Sequence, residues 1–340
     1  MRRLLRAAIG LSRPARGGVA VFYGHRRLPA PGDPVEGGMV KFQRLQTVFP
    51  NRPRDFNLLY LGSSSLPADE QAVIRLARRR GAAVVVNQDG VAYPGWAGER
   101  SEALNDRLRR VLHAADHVVY QSEFCRRAAD LFLSPPPAAT CEVLHNAVDT
   151  TVFTPAAEAP TGGPVLLLGG DQTAAYRLET GLRTLALLPE ARLLVTGTVF
   201  ESGRALADEL GLADRVLFSG RYAQRDAPGV YRRAHLLLHP KVNDPCPNVV
   251  LEALACGLPV VHSASGGTPE LVGPAGVGVP SETSWERDVP PDPHALAEGV
   301  RTVLGQLGDY RAAARERARA FDLEPWIERH RELFERLVSR

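Results

Sequence analysis

The 340-residue sequence predicts an α/β protein made of two doubly wound halves, each built around a parallel sheet. Three observations carry this reading. Short apolar runs alternate with amphipathic helical stretches through most of the chain. Some of those runs are apolar at every position, as in 82–86 and 165–168, which suits strands buried on both faces. An Ala-, Pro- and Gly-rich stretch at 156–163 reads as a linker, and either side is long enough for its own core. The expected divisions are 1–155, the linker 156–163, a second half 164–322 and a closing helix 323–340.

Composition narrows the function classes. The chain is 44% hydrophobic and 23% charged, as soluble globular proteins are, and its net charge of +3 is too small to argue for a nucleic-acid partner. No run of 18 apolar residues calls for a transmembrane helix. Cys125, Cys141, Cys246 and Cys256 form no CxxC and no metal-ligand spacing, so free thiols in a reducing cytosol are expected. The first sixteen residues carry five arginines. They read either as a frayed leader or as a weak basic contact with an anionic membrane surface, and no cleavage site marks a signal peptide.

In the first half, 19–23 reads as a strand and a polar loop runs to Gly37-Gly38, ahead of a helix expected over 40–49. A glycine pair between strand and helix lets a phosphate approach the backbone, though the full G-x-G-x-x-G is absent. Lys41 would add charge there or lie on a solvated helix face. A strand at 57–61 ends in Gly62-Ser63-Ser64-Ser65, and a helix follows over 68–80. The strand 82–86 runs into a loop containing Asp89, Tyr93 and Trp96. Ligands of open α/β sheets bind beyond the carboxyl ends of strands, so this loop is a candidate acceptor side. Asp89 would orient an acceptor hydroxyl or make an Asp-Gly turn. Tyr93 and Trp96 would stack on a sugar or fill a wall. A helix over 105–115, strands at 117–121 and 143–146, and a helix capped by Ser122 complete this half.

The second half opens with the strand 165–168 and Gly169-Gly170-Asp171. Helices are expected at 178–188, 204–210 and 230–234, and strands at 191–196, 216–219 and 236–239. The stretch 243–270 concentrates the chemistry. Residues 249–256 are almost all apolar, as in a helix buried all round, yet Glu252 sits among them. A buried carboxylate needs hydrogen-bond donors, from a ligand hydroxyl or from distant side chains. Asp244 stands in the Pro-broken loop before that helix. Gly257 and Pro259 stop the helix. After a short strand at 260–261, Ser265-Gly266-Gly267 feeds Thr268-Pro269-Glu270, with Thr268 expected as N-cap and Pro269 at N1. A Gly-rich turn at a helix start is an anion site by geometry. Amphipathic helices are expected over 295–307, 310–321 and 325–337.

At Asp244, Glu252-Ala253, Ala255, Gly257, Pro259-Val260-Val261 and Gly266-Gly267-Thr268-Pro269-Glu270 the sequence resembles the family-4 retaining glycosyltransferases of the GT-B fold. Ala115-Asp116 with Ser122, and Asn146-Ala147-Val148-Asp149 with Phe153 and Pro155, resemble two further steps of that family. The resemblance implies two Rossmann-like domains facing across a cleft, with the last helix returning to the first domain. It implies transfer of a glycosyl group from a nucleotide sugar, with retention, without a cofactor or required metal. The absence of a D-x-D motif agrees with that. By the same resemblance Glu252 binds the donor ribose and Asp244 the donor sugar. Asn248, Val249, Gly266, Gly267, Gly37 and Gly38 also lie on the donor side.

Three departures stand out. Asp244 replaces the family's usual Glu. Asp89 occupies the place of a common His. Gly170-Asp171 replaces a Gly-Arg whose cation, with a nearby Lys, neutralises the donor pyrophosphate. Arg177 or Lys241, one of the two, would substitute, with Arg221 as a further candidate. Two other functions fit the same residues: a GT-B nucleotide-sugar epimerase, and a degenerate scaffold that binds nucleotide without turnover.

Overall fold

A computed structural model describes residues 18–30, 33, 35, 37–158 and 160–339. The Arg-rich leader, and with it the expected membrane contact, lies outside the described residues. No helix among the described residues is long and apolar enough to cross a membrane. The described residues form two compact units, one running to His145 and taking in the C-terminal stretch from Glu324, the other Asn146–Leu323. The first boundary thus falls upstream of position 155. The reason is local. The Asn146 N–H meets Cys246 Sγ at 3.3 Å, Val148 bridges Asp322, and Arg315 holds the carbonyls of Thr150 and Phe153 at 2.8 and 2.9 Å.

Among the described residues the first unit carries five parallel strands: β1 (Val21–Phe22), β2 (Leu58–Gly62), β3 (Ala83–Gln88), β4 (His117–Tyr120) and β5 (Thr140–Val143). They lie in chain order, with no reversal, so the doubly wound pattern expected of this half is absent among its described strands. β2 and β4 are buried throughout and β3 nearly so, which matches their Leu- and Val-rich sequences. The closing helix Leu323–Val338 belongs almost wholly to this unit and buries Trp326, His330, Leu333, Phe334 and Leu337, one stripe at helical spacing. Phe334 packs edge-on against Phe49 and Tyr60, with ring centres 5.1 and 5.6 Å away. The helix expected over 40–49 spans Gly37–Leu45, and the chain then turns as the Phe49 N–H bonds back to the Leu45 carbonyl at 2.7 Å.

The second unit has six parallel strands: β6 (Val165–Leu168), β7 (Arg192–Thr196), β8 (Val216–Gly220), β9 (Leu236–His239), β10 (Val260–Ser263) and β11 (Gly276–Val279). Their order is β11-β10-β9-β6-β7-β8, so the winding reverses between β6 and β9. Alternate strand residues serve opposite faces. Leu167, Leu194, Leu237 and Val260 pack with helices Asn248–Ala255 and Leu307–Arg319. Leu166, Leu168, Leu193, Val195 and Leu238 pack with helices Ala175–Ala186 and Pro293–Gly305. Truncating one such buried Leu to Ala costs about 2–5 kcal/mol. Helix Asn248–Ala255 ends in a Schellman turn: Leu258 N–H reaches the Ala253 carbonyl and Gly257 N–H that of Leu254, each at 2.9 Å. Gly257 takes the left-handed φ of 73° this turn requires.

Candidate functional site

In the second unit the strand order reverses between β6 and β9, and the loops after those strands meet there. Ligands of doubly wound sheets bind beyond the carboxyl ends of strands at such a point. After β6 comes Gly169-Gly170-Asp171; after β9 comes 240–247 and then helix Asn248–Ala255. A Cβ added to Gly169 or Gly170 would touch Val249 at 3.7 or 3.8 Å, so the glycine turn abuts the helix start.

Asp244 is buried at this place. Its Oδ2 accepts His239 Nε2 at 3.1 Å and pairs with Lys241 Nζ at 3.2 Å. Among the described residues no hydrogen bond reaches its Oδ1. Burial alone would raise this carboxyl, but Lys241, His239 and Arg177 together hold it well below the ordinary carboxylate range. The main chain is fixed as firmly as the side chain. Gly266 lies so close that an added Cβ would stand 2.5 Å from the Asp244 carbonyl oxygen, and its φ is 71°. Gly267 N–H donates to that carbonyl at 2.8 Å. The sequence pointed to these glycines as an anion site, yet the Gly267 amide is already used, and both residues serve to seat the Asp244 loop. Helix Thr268–Val272 is capped by Gly267, with Thr268 inside it rather than at its N-cap.

Glu252 is also buried, and its partners are distant side chains. Tyr231 Oη donates to Oε2 at 2.7 Å and Gln224 Nε2 to Oε1 at 2.9 Å. Burial and the Glu252 charge push the Tyr231 phenol well above its usual range, so it remains a donor. The adjacent Tyr222 is pushed up to about 12, by burial first and Glu252 second. Glu252 therefore takes these two hydrogen bonds from neutral donors.

The structure brings both expected cations to Asp244 rather than one. Arg177 is buried, gives Nη1 to the Asp171 carbonyl at 2.7 Å and Nη2 to the Gly169 carbonyl at 3.0 Å, and its charge is felt at Asp244. It thereby braces the glycine turn after β6. Asp171, standing where a cation was expected, accepts Thr198 N–H at 2.7 Å and pairs with exposed Arg221 at 3.2 Å. That pair explains the departure locally: the acid ties the β6 turn to the turns after β7 and β8. Around Asp244 several buried polar atoms have no hydrogen-bond partner among the described residues: Arg177 Nε, His239 Nδ1, Asn243 Oδ1, Asn248 Oδ1 and Thr268 Oγ1. Buried polar groups without partners are uncommon in proteins, and a bound ligand, ion or water is one explanation for them.

The first unit corrects three expectations. Asp89 is buried, and its two oxygens accept four protein donors: Ser63 Oγ, Ser64 N–H at 2.9 Å, Ser64 Oγ at 2.6 Å and Lys41 Nζ at 2.8 Å. A carboxylate has about four lone-pair sites, so none is left to orient an acceptor hydroxyl. Lys41 is neither solvated nor turned to a phosphate; it is buried between Asp89 and Asn87 Oδ1, 2.7 Å away. Gly38 is glycine because a side chain would collide with Ser64 and Ser65, whereas Gly37 faces open space. Tyr93 is buried and stacks edge-on to Trp96, whose indole is 52% exposed and anchored by Nε1 to the Val91 carbonyl at 3.1 Å.

Sequence reasoning missed His239, Asn243, Gln224 and Tyr231. His239 had a signal, a polar residue ending an apolar strand directly before a proline. The other three had none, because their partners lie in separate elements.

Comparison with known proteins fits this geometry. Residues 158–321 match the family described as glycosyl transferases group 1. A D-inositol 3-phosphate glycosyltransferase of Mycobacterium sp. (strain JLS) is 33% identical over 180 residues, 48% of this chain and 40% of that protein. The chain thus matches about two-fifths of the length of that curated relative. Among solved structures, sucrose-phosphate synthase of Thermosynechococcus elongatus superposes with a TM-score of 0.71 at 21% identity, over 88% of this chain and 76% of that one. Anabaena HepE, solved with UDP-glucose, gives 0.64 at 18% identity over 82% and 79%. These likenesses establish the GT-B fold. The likeness to the glycosyl transferases group 1 family thus lies in the second unit, over residues 158–321.

Proposed function

We propose that the protein transfers a glycosyl group from a nucleotide-activated sugar to an acceptor hydroxyl, with retention of configuration at the anomeric carbon. The observation that carries this is the ionised Asp244 at the reversal point of the second sheet, ringed by Lys241, Arg177 and unpartnered buried polar atoms. A relative solved with UDP-glucose supports the donor class. In the reaction the bond between the anomeric carbon and the phosphate oxygen breaks, and the diphosphate leaves with the electron pair. The acceptor oxygen bonds to the same face of that carbon and its proton passes to the departing phosphate. Lys241, Arg177 and the start of helix Asn248–Ala255 would stabilise the charge that develops on the leaving group, a term worth about 10²–10³-fold per donor group. Asp244 would hold hydroxyls of the donor sugar. Glu252, oriented by Tyr231 and Gln224, would take the ribose. Asp89 has no part in this set.

The test is a panel of UDP-, GDP-, ADP- and dTDP-sugars, read by thermal shift and by transfer or hydrolysis, with and without EDTA. We expect one nucleotide class to raise the melting temperature and to turn over in EDTA, because a ligand bound only by the folded state stabilises it. Failure of every sugar to bind or react sinks the reading. Isomerised donor without acceptor would make the protein an epimerase, and binding without turnover a scaffold.

A further inference from the structure

We propose that His239 is the positioning residue for Asp244: its Nε2–H fixes the carboxylate by one oxygen, leaving the other for the ligand. The role of Asp244 as a donor-binding group rests on the glycosyl-transfer reading above.

The argument begins with the backbone. His239 is the last residue of β9 and lies in register with His262 on β10. Pro240 follows, and the residue before a proline is confined to extended conformations. The ring is therefore carried by the rigid sheet and not by a loop. Its side chain is 1% exposed, whereas that of Lys241, the other partner of Asp244, is 38% exposed and sits in the loop. An exposed ion pair orients weakly, because solvent screens it and the flexible side chain loses entropy on pairing. The buried imidazole is the better clamp.

Hydrogen-bond chemistry then fixes the proton. The ionised carboxylate only accepts, so Nε2 must carry the hydrogen in the bond to Oδ2. Nδ1 is then a bare acceptor, and no donor among the described residues reaches it. Protonating Nδ1 would bury a third cation beside Lys241 and Arg177, with no acceptor among the described residues for its hydrogen. The groups facing the ring are Asp244, Lys241, Arg177 and His262, and burial, ahead of the opposing Asp244 bond, lowers its basicity. His239 thus stays a neutral Nε2–H donor, and the bond to Asp244 persists through the neutral range.

The arrangement also accounts for the shorter acid. Asp places its carboxylate one methylene nearer the backbone than Glu would. Here the backbone is held by Gly266, by Gly267 N–H and by Asn243, whose N–H meets Ser265 Oγ at 3.0 Å. The short side chain then reaches the strand-borne imidazole.

Two measurements test this. In protein labelled with ¹⁵N-histidine, the His239 ring should show its proton on Nε2 and titrate only below the ordinary histidine range. Titration near pH 6.5, or a proton on Nδ1 alone, overturns the proposal whether or not the enzyme turns over. In kinetics, His239→Gln keeps an N–H near the Nε2 position and should retain transfer within roughly threefold. His239→Phe should lose about 10²-fold, mostly in kcat, as misplacement of a reacting group does. Equal losses in the two variants overturn the proposal. If the wild type transfers from no nucleotide sugar, the functional reading fails, and the tautomer measurement still decides the role of His239.

Discussion

Asp89 and Asp244 are both buried carboxylates just beyond the carboxyl end of a parallel strand, each beside a lysine, and the structure treats them in opposite ways. Asp89 has four protein donors on its two oxygens, and Lys41 beside it is buried as well. Asp244 has its two partners on a single oxygen, and His239, Asn243 and Arg177 around it each keep a buried polar atom without a partner. A buried charge is tolerated only when compensated. Asp89 is compensated by the protein, so it holds the fold. Asp244 is left with an oxygen to offer, so it is the better candidate for a ligand. Burial and sequence setting do not separate the two; the count of donors does.

The sharpest way to break that comparison is Lys41→Met. It strands the Asp89 charge, and removing one partner of a buried pair costs about 3–5 kcal/mol. A fall in melting temperature of about 10 °C is expected, with turnover of the protein that remains folded close to wild type. Asp244→Asn should do the reverse. It keeps the shape and an acceptor for His239 but removes the charge, so transfer should drop about 10²–10³-fold. Its melting temperature should stay within a few degrees. Calorimetry and initial rates on the two variants check both. If Lys41→Met left stability untouched and abolished turnover, Asp89 would belong to the reaction after all.

The sequence makes some of this legible and conceals the rest for a physical reason. Strands and helices of the second half are local patterns, and the capped helix holding Glu252 needs only its own residues to be recognised. The acid pair and the glycine turn were visible for the same reason. The partners of those acids were not. Lys41 meets Asp89 across 48 positions of sequence, Glu252 takes its donors from Gln224 and Tyr231, and Asp171 finds Arg221 two strands away. Whether a buried carboxylate is satisfied depends on such distant donors, and no spacing rule reveals them. The chain-order winding of the first sheet was hidden likewise, since alternation of strand and helix is the same for either winding. Gly266 shows the limit most plainly. Its Gly-rich turn before a helix signalled an anion site, whereas the structure uses the missing side chain to admit the Asp244 backbone.

The smallest expected effect concerns the closing helix and the polar chain behind Asp89. Asn87 Nδ2 donates to Tyr60 Oη at 3.1 Å, Tyr60 Oη lies 3.0 Å from His330 Nε2, and His330 Nδ1 lies 2.9 Å from the Trp326 carbonyl. The carbonyl only accepts, so Nδ1 carries the proton and Nε2 receives the tyrosine hydrogen. Burial, ahead of the Trp326 bond, lowers the imidazole from 6.5 to about 4. Its folded value thus lies below its unfolded value, and between pH 6.5 and pH 4 the unfolded chain holds a proton that the folded ring refuses. Stability must rise with pH through that window, be complete above 6.5 and be lost toward 4. From pH 7 to pH 5 this one ring should remove about 2 kcal/mol. Glu142, depressed to about 2 with burial opposed by His117 and Arg329, acts lower, and its stabilisation fades only as pH falls below its unfolded value of 4.5. Urea unfolding at pH 7 and pH 5 should therefore show His330→Asn less stable at pH 7, for want of the Tyr60 and Trp326 bonds, yet flatter with pH by about 2 kcal/mol. An unchanged slope would mean that the ring is protonated in the folded state, and the closing helix would then be held by a charge the geometry does not accommodate.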